Sequence, residues 1–246
     1  MKWKTSYMKI TVPMVLLTLY IISCKSEKNK MPLAQAGVDT TWALLSFAKV
    51  DSVNPILVPG ENTFQCPILK RDVRWDEKDV FNPAAIVRNN KVYLIFRAED
   101  KIGKFAGTSR LGLATSNDGL RFTKMSEPVF FPDNDSLKVF EWEGGVEDPR
   151  VVESDDSTYI MTYTAYDGHV ARLMIATSRD LFHWTKYGTV LQGKYKNTWS
   201  KSGAMVVRQE GSRFIASKVN GKYWMYFGDT DLFILQSDDL IHWKPI

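Results

Sequence analysis

The feature that most constrains the fold of this chain is an internal repeat of about 60 residues. A short motif, in which a serine is followed two residues later by Asp and six residues later by an aromatic residue, occurs three times. Its copies lie at residues 116–122, 178–184 and 237–243, so the serines are 62 and 59 residues apart. A chain with this spacing is built from similar supersecondary units that stack on one another.

Each repeat also contains a run of apolar, aromatic and β-branched residues, at residues 91–97, 158–163 and 222–227. Such runs are typical of β-strands. A third element, a polar loop, precedes each run, and the unit therefore has room for four strands. Long amphipathic helices are absent from the pattern, and residues 40–48 allow a short helix at most. We predict an all-β fold whose units are the blades of a β-propeller.

The repeated motif itself is expected to be structural. Asp118, Asp180 and Asp239 sit where a side-chain carboxylate would cap a turn, and the aromatic residue would pack between blades. His183 and His242 belong to the same turns. No group of His, Cys and acidic residues has the spacing of metal ligands, so no metal site is predicted.

The densest group of acidic residues lies in the segment 141–150, which contains Glu141, Glu143, Glu147 and Asp148. Neighbouring carboxylates raise one another's pKa, and a raised pKa suits a general acid near neutral pH. Alternatively, the segment is a solvated acidic turn. The corresponding loops of the other two repeats begin near residues 82 and 201. Since such loops gather around the axis of a propeller, the pattern favours a site there.

The N-terminal residues predict export. A lysine-containing start is followed by an apolar run, residues 10–22, which is shorter than the ~20 residues that span a bilayer. The end of this run and the two residues after it, residues 21–24, form a sequence typical of bacterial lipoproteins, with Cys24 as its last residue. We therefore expect a signal peptide at 1–23, lipid attachment at Cys24 and a membrane partner, with a plain signal peptide or short anchor helix as alternatives. A flexible tether is expected at 24–40 and the propeller domain at 41–246.

Charge and cysteine content exclude other classes of protein. The formal net charge is +4, and three of the lysines that contribute to it lie in the predicted signal peptide. A nucleic-acid partner is therefore poorly supported. Beyond Cys24 the chain has Cys66 alone, and no intrachain disulfide is expected in the mature protein.

Six segments together resemble glycoside hydrolase family 130. They are residues 81–85, 96–100, 109–119, 145–151, 163–168 and 201–204. The resemblance runs from about Trp42 to the C-terminus. It implies a five-bladed β-propeller that cleaves β-mannosides with inversion at the anomeric carbon, by phosphorolysis in most members and by hydrolysis in some. It also implies a mannose-containing oligosaccharide as partner, and no cofactor other than inorganic phosphate as co-substrate of a phosphorylase.

The resemblance assigns roles to individual residues. Asp148 matches the general acid, while Asn82 and Arg97 match residues that hold the sugar at the cleavage point. The further substrate-binding candidates are Glu99, Asp100, Glu147, Arg150 and Lys201.

The acceptor of the glycosyl group depends on two positions. Lys201 falls near a basic phosphate-binding position of the phosphorylases, whereas Asp229 stands where a second basic residue is expected. An acid there would repel phosphate and could activate water as a second catalytic group. Export would also release a sugar phosphate outside the cytoplasm. We therefore expect hydrolysis, with phosphorolysis and a non-catalytic glycan-binding lipoprotein as the alternatives.

The length of the chain predicts an incomplete propeller. Five blades of about 60 residues need roughly 300 residues, whereas this chain has 246. About three to four blades are expected, with a closed four-bladed ring as an alternative.

Overall fold

The structure is a computed structural model, and it describes residues 48–246. The predicted signal peptide, Cys24 and the tether lie outside the described residues, as does almost all of the short helix expected at 40–48. Within the described part, no helix is long and apolar enough to cross a membrane. Residues 49–246 form one compact unit.

The described residues contain seventeen β-strands and almost no helix, which confirms the predicted all-β class. One four-residue helix, α1 (Lys138–Glu141), and two 3₁₀ turns at Asp51–Val53 and Gly193–Tyr195 complete the secondary structure. A two-stranded hairpin, β1 (Thr63–Cys66) and β2 (Arg71–Arg74), precedes the repeats.

The first repeat is a four-stranded antiparallel meander, called here the first meander. Its strands are β3 (Asp79–Arg88), β4 (Lys91–Glu99), β5 (Ser109–Ser116) and β6 (Thr123–Lys124). The apolar run predicted at 91–97 is thus β4, with two more residues at its end.

The second meander has the same order. Its strands are β7 (Gly145–Glu153), β8 (Tyr159–Tyr166), β9 (Ala171–Ser178) and β10 (Trp184–Thr189). A single parallel backbone pair, Ser109 with Gly145, links it to the first meander. The two meanders are therefore held together mainly by side chains.

The third meander carries an insertion. Its four strands are β11 (Ala204–Met205), β15 (Lys222–Gly228), β16 (Leu232–Ser237) and β17 (Trp243–Pro245). Between its first two strands lie β12 (Val207–Glu210), β13 (Arg213–Ala216) and β14 (Lys218–Val219). The hairpin β12–β13 pairs with the second meander at Ile215 and Glu153, which accounts for the longer connection in this repeat.

The second meander is buried on both faces. Met161, Tyr163 and Met174 pack in a core shared with Ile95 and Leu113 of the first meander. The alternate residues of the same strands pack in a second core, which contains Ile160, Leu173, Ile175, Met225 and Leu235. Because successive strand residues point to opposite faces, this arrangement stacks the three meanders like neighbouring blades.

The outer face of the third meander has no covering layer within residues 48–246. Leu232 is 78% exposed, and Tyr226 and Ile234 on the same face are also exposed. The described sheets do not close into a ring. The five-bladed ring, with about three to four blades in this chain, therefore stays a prediction.

The Ser-x-Asp turns have the structural role that the sequence predicts. In each copy the serine hydroxyl accepts backbone N–H groups, and one Asp oxygen accepts two more, as Asp239 Oδ1 does from Ile241 and His242. Trp243 is buried in the second core. The Nδ1 atom of His242 lies 2.7 Å from the other carboxylate oxygen of Asp239.

Candidate functional site

The site is built by three equivalent kinks at the start of the meanders. Asn82, Asp148 and Ser202 have φ angles of +45°, +50° and +62°, a left-handed conformation that Asn and Asp tolerate better than other non-glycine residues. In the first two meanders the kink shifts the strand register. The kinks place three polar residues at the same level of the stack, as the repeat predicts. In the third loop, the equivalent position is Ser202, and Lys201 corresponds to Glu147.

Asp148 is held through one oxygen. Its Oδ1 accepts hydrogen bonds from Asn82 Nδ2 at 2.8 Å and from Arg97 Nη1 at 3.2 Å. Its Oδ2 accepts none from the described residues, and the side chain is 21% exposed. The kink at Asp148, the kink at Asn82 and strand β4 thus orient one carboxyl oxygen and leave the other available.

Arg97 is the centre of the site. Besides Asp148, its guanidinium donates to Ser109 Oγ at 2.9 Å, Glu99 Oε1 at 2.6 Å and Glu147 Oε1 at 3.1 Å. Four of the five N–H donors of the guanidinium are therefore engaged, and one cation faces three carboxylates.

Glu99 and Glu147 differ in their surroundings. Burial acts to raise the pKa of Glu99, but hydrogen bonding to Lys78 and the charge of Arg97 outweigh it and lower the pKa. Lys78 Nζ lies 2.8 Å from Glu99 Oε2. For Glu147, burial dominates and the charges of Asp148 and Glu99 add to it, so its pKa is raised to about 7 although Arg97 and Lys201 oppose the shift.

Asp100 lies behind the site. Its side chain is fully buried and its Oδ2 is 2.7 Å from Arg110 Nη1. Its Oδ1 accepts the backbone N–H groups of Ile102, Gly103 and Thr108. These contacts hold the loop between β4 and β5 in place. Both carboxylate oxygens of Asp100 are engaged in them, and neither is left to bind a substrate.

Two cations flank the third kink. Lys201 Nζ is 4.0 Å from Asp229 Oδ2, and Asp229 is half exposed. Arg150 Nη1 donates to the backbone oxygen of Ser202 at 3.2 Å and has no carboxylate within 4.0 Å among residues 48–246. The structure thus brings Asn82, Arg97, Glu99, Glu147 and Asp148 into direct contact, with Lys201, Asp229 and Arg150 on the third side.

A cleft of about 710 Å³ lies at the opposite strand ends and is lined by Asp156, Arg179, Asp180, His183 and Tyr187, among others. Asp180 accepts turn N–H groups there. Within residues 48–246, no three His, Cys, Asp or Glu residues are grouped as a metal site.

Comparison with known proteins decides the family. Residues 60–245 match the model of a glycoside hydrolase family described as beta-1,4-mannooligosaccharide phosphorylase. The chain belongs to glycoside hydrolase family 130. Among curated family 130 relatives, a 1,2-beta-oligomannan phosphorylase from Thermoanaerobacter sp. (strain X514) is 34% identical over 79% of this chain and 59% of its own length.

Solved structures support the same family assignment. A glycosyl hydrolase from Bacteroides ovatus is 47% identical, with a TM-score of 0.80 over 83% of this chain and 59% of its own. A second structure, 42% identical with a TM-score of 0.80 over 84% of this chain and 59% of its own, is described by the statement that family 130 contains hydrolases targeting β-1,2-mannosidic linkages in Candida mannan. The chain spans about 59% of the length of these relatives.

Three residues of the site were not predicted from the sequence. Lys78 pairs with Glu99, and Ser109 bonds both Arg97 and Glu99. Thr164 occupies on β8 the position that Arg97 occupies on β4, and its buried hydroxyl has no partner in the described part of the chain. Ser109 lies within a segment that resembles family 130, which is the one signal that could have marked it.

Proposed function

We propose that this family 130 chain cleaves β-mannosidic bonds, with Asp148 as the proton donor. The observation that carries the proposal is the one-sided attachment of Asp148. Asn82 and Arg97 hold Oδ1, and Oδ2 is left to carry a proton toward a substrate. A protonated carboxyl has one O–H donor, and positioned proton transfer of this kind contributes about 10²–10⁴-fold to rate.

The contacts support a proton-transfer step. Asp148 Oδ2–H donates its proton toward the glycosidic oxygen, directly or through a sugar hydroxyl, while the bond between that oxygen and the anomeric carbon breaks. The carboxylate that remains is then stabilised by Arg97 Nη1 at 3.2 Å. The acceptor attacks the anomeric carbon from the opposite face and inverts it.

For the acceptor, we propose inorganic phosphate, which gives mannose 1-phosphate. This reverses the preference for hydrolysis that Asp229 and the expected export suggested. Two curated relatives are named as phosphorylases. Lys201 and Arg150 support the choice because each lies at the third kink without a close carboxylate bond, the nearest being Asp229 at 4.0 Å from Lys201.

Hydrolysis is the second candidate. The structure described with hydrolases of β-1,2-mannosidic linkages is 42% identical to this chain, more than the phosphorylase relatives are. Asp229 beside Lys201 would then activate water. The names of both kinds of relative mention β-1,2 linkages, so β-1,2-mannosides are the first substrates to try.

Export of the protein, with a lipid attached at Cys24, stays a prediction. A Cys24→Ser chain that no longer sediments with membranes would support it.

The deciding experiment incubates the 246-residue chain with β-1,2- and β-1,4-mannobiose, with and without inorganic phosphate. Mannose 1-phosphate formed only with phosphate would support phosphorolysis, and free mannose without phosphate would support hydrolysis. Asp148→Asn keeps the shape of the side chain and is expected to lose more than about 100-fold of kcat. Asp238→Asn, at the far strand ends, is the matched control and is expected to keep full activity.

Two results would count against the proposal. Full activity in Asp148→Asn would remove Asp148 from the reaction. Binding of mannobiose without any cleavage by the wild-type chain would instead favour the alternative of a glycan-binding lipoprotein.

A further inference from the structure

Three aromatic side chains from three segments stand in a row, called here the aromatic wall. It consists of Phe105, Tyr166 and Trp199. The ring of Tyr166 lies 6.2 Å from that of Phe105, at an angle of 64°, and 6.2 Å from that of Trp199, at 66°. Edge-to-face pairs of this kind are mutually attractive, so the rings support one another.

The backbone at two glycines and one hydrogen bond fix the positions of the rings in the wall. A Cβ on Gly168 would lie 2.1 Å from the ring of Phe105, and a Cβ on Gly144 would lie 2.3 Å from Tyr166 Cδ1. The hydroxyl of Tyr166 donates to the backbone oxygen of Gly168 at 3.0 Å. The glycines let the backbone approach the rings closely, so the wall is pre-organised.

Each of the three segments that carry the aromatic wall also leads to a residue of the candidate site. Tyr166 pairs with Gly145, two residues before Glu147. Trp199 comes two residues before Lys201. The loop that carries Phe105 ends at Ser109, which bonds Arg97.

The wall offers an aromatic surface with a polar rim. Trp199 is 50% exposed, and the exposed Lys104 and His169 lie 5.4 Å and 5.8 Å from the ring of Phe105. In a β-mannopyranoside the axial hydrogens of C1, C3 and C5 lie on one face of the ring and make it apolar. Such a face packs on an aromatic ring while the equatorial hydroxyls reach polar neighbours.

We propose that the aromatic wall binds a second sugar unit of the β-mannoside, on the leaving-group side of the bond that Asp148 protonates, with Trp199 as the principal contact. The proposal rests on the proposed function and adds a binding surface to it. It assigns Trp199 to substrate binding and gives it no part in proton transfer.

The test compares substrates with and without a second sugar. The 246-residue chain and its Trp199→Ala and Trp199→Phe variants are assayed with β-1,2-mannobiose and with β-mannosyl fluoride, which has no second sugar. Trp199→Ala is expected to raise KM for mannobiose about tenfold, or ~1.4 kcal/mol, with kcat/KM for the fluoride unchanged. Trp199→Phe is expected to retain most of the affinity.

The matched control is Tyr187→Ala, since Tyr187 is also 50% exposed but lies at the opposite strand ends. It is expected to leave both substrates unchanged. Thermal unfolding of each variant shows that the fold is kept.

Two outcomes overturn the inference and are distinguishable from failure of the proposed function. If wild type cleaves both substrates and Trp199→Ala loses equally on both or on neither, the wall does not bind the second sugar although the function stands. If wild type cleaves neither, calorimetry with mannobiose decides. Binding that Trp199→Ala weakens about tenfold supports the wall, and equal or absent binding refutes it.

Discussion

At the scale of residues, three carboxylates of the site share contacts with one guanidinium, that of Arg97. Arg97 contacts Glu99, Glu147 and Asp148, and of these three carboxylates Lys78 contacts Glu99. Because a single positive charge cannot neutralise three carboxylates, a largely buried carboxylate that has no second cation in direct contact keeps its proton most readily. Glu147 has that position, and its pKa is raised to about 7.

The raised pKa of Glu147 has a consequence for stability. Its ordinary pKa is 4.5, so between about pH 4.5 and 7 the unfolded chain has lost a proton that the folded chain still holds. The free energy of unfolding therefore falls as pH rises through this window, by up to about 3 kcal/mol. Glu147→Gln cannot ionise and is expected to show a smaller loss between pH 5 and 8.

Urea unfolding of wild type and Glu147→Gln at several pH values measures this difference. Glu143→Gln, which changes a carboxylate outside the contacts of Arg97, is the control and is expected to follow wild type. Parallel pH curves for wild type and Glu147→Gln would show that Glu147 ionises normally.

Sequence reasoning reached the central residues but not their supports. Asn82, Arg97 and Asp148 lie in family motifs, and the structure brings them into contact. Asp100 is part of the same motifs, yet it is buried against Arg110 and loop amides. Which face a residue takes next to a kink depends on the register shift, and the sequence alone does not specify that shift.

At the scale of elements, the Ser-x-Asp turns were the most predictable part because the Ser and Asp hydrogen bonds that shape them are local. Asp239 Oδ1 caps the N–H groups of Ile241 and His242. Although burial acts to raise it, these bonds hold the pKa of Asp239 well below its usual range.

The neighbouring residues Asp239 and Asp238 allow the contribution of turn capping to stability to be measured separately from that of an exposed ion pair. Asp239→Ala removes both bonds to the turn and is expected to cost about 1–2 kcal/mol of stability, with kcat unchanged. Asp238 makes an exposed ion pair with Lys222 at 2.5 Å, so Asp238→Ala is expected to cost less than about 1 kcal/mol. Chemical denaturation and mannobiose assays measure both effects. Equal destabilisation by the two changes would contradict the capping role.

The insertion in the third repeat was visible only as extra length. Strands β12 and β13 form a hairpin that pairs with β7 of the second meander through Ile215 and Glu153. This pairing joins residues about 60 positions apart in the chain. No local pattern specifies it, in contrast to the strands at 91–97 and 222–227.

At the scale of the whole molecule, the three meanders differ in how they are covered. The second packs on both sides, whereas the third leaves Leu232, Ile234 and Tyr226 exposed on its outer face. The repeat predicted the stacking of similar units. The number of units in a ring could not be derived, because closure depends on the angle between sheets rather than on any one repeat.

The exposed face predicts self-association of the 246-residue chain. Contiguous exposed apolar residues on a sheet favour contact with another chain. The double variant Leu232→Lys, Ile234→Lys is expected to lower the sedimentation-average mass at micromolar concentration. Val139→Lys, which changes a residue 67% exposed on α1, is the control and is expected to leave it unchanged. A wild-type chain that sediments as a monomer at all concentrations would refute the prediction.

The proposed catalytic residues lie at the seam between the first two meanders. One backbone pair crosses it, from Ser109 to Gly145, and Arg97 reaches across it to Glu147 and Asp148. Asp148, the proposed proton donor, and the residues Asn82 and Arg97 that hold it thus belong to different meanders, and their spacing depends on how the shared core around Ile95 and Met161 packs. A conservative change of volume deep in that core would act as a mechanical adjustment of the cleft. Its effect would be felt first as slower turnover, in a protein that still unfolds at nearly the same temperature.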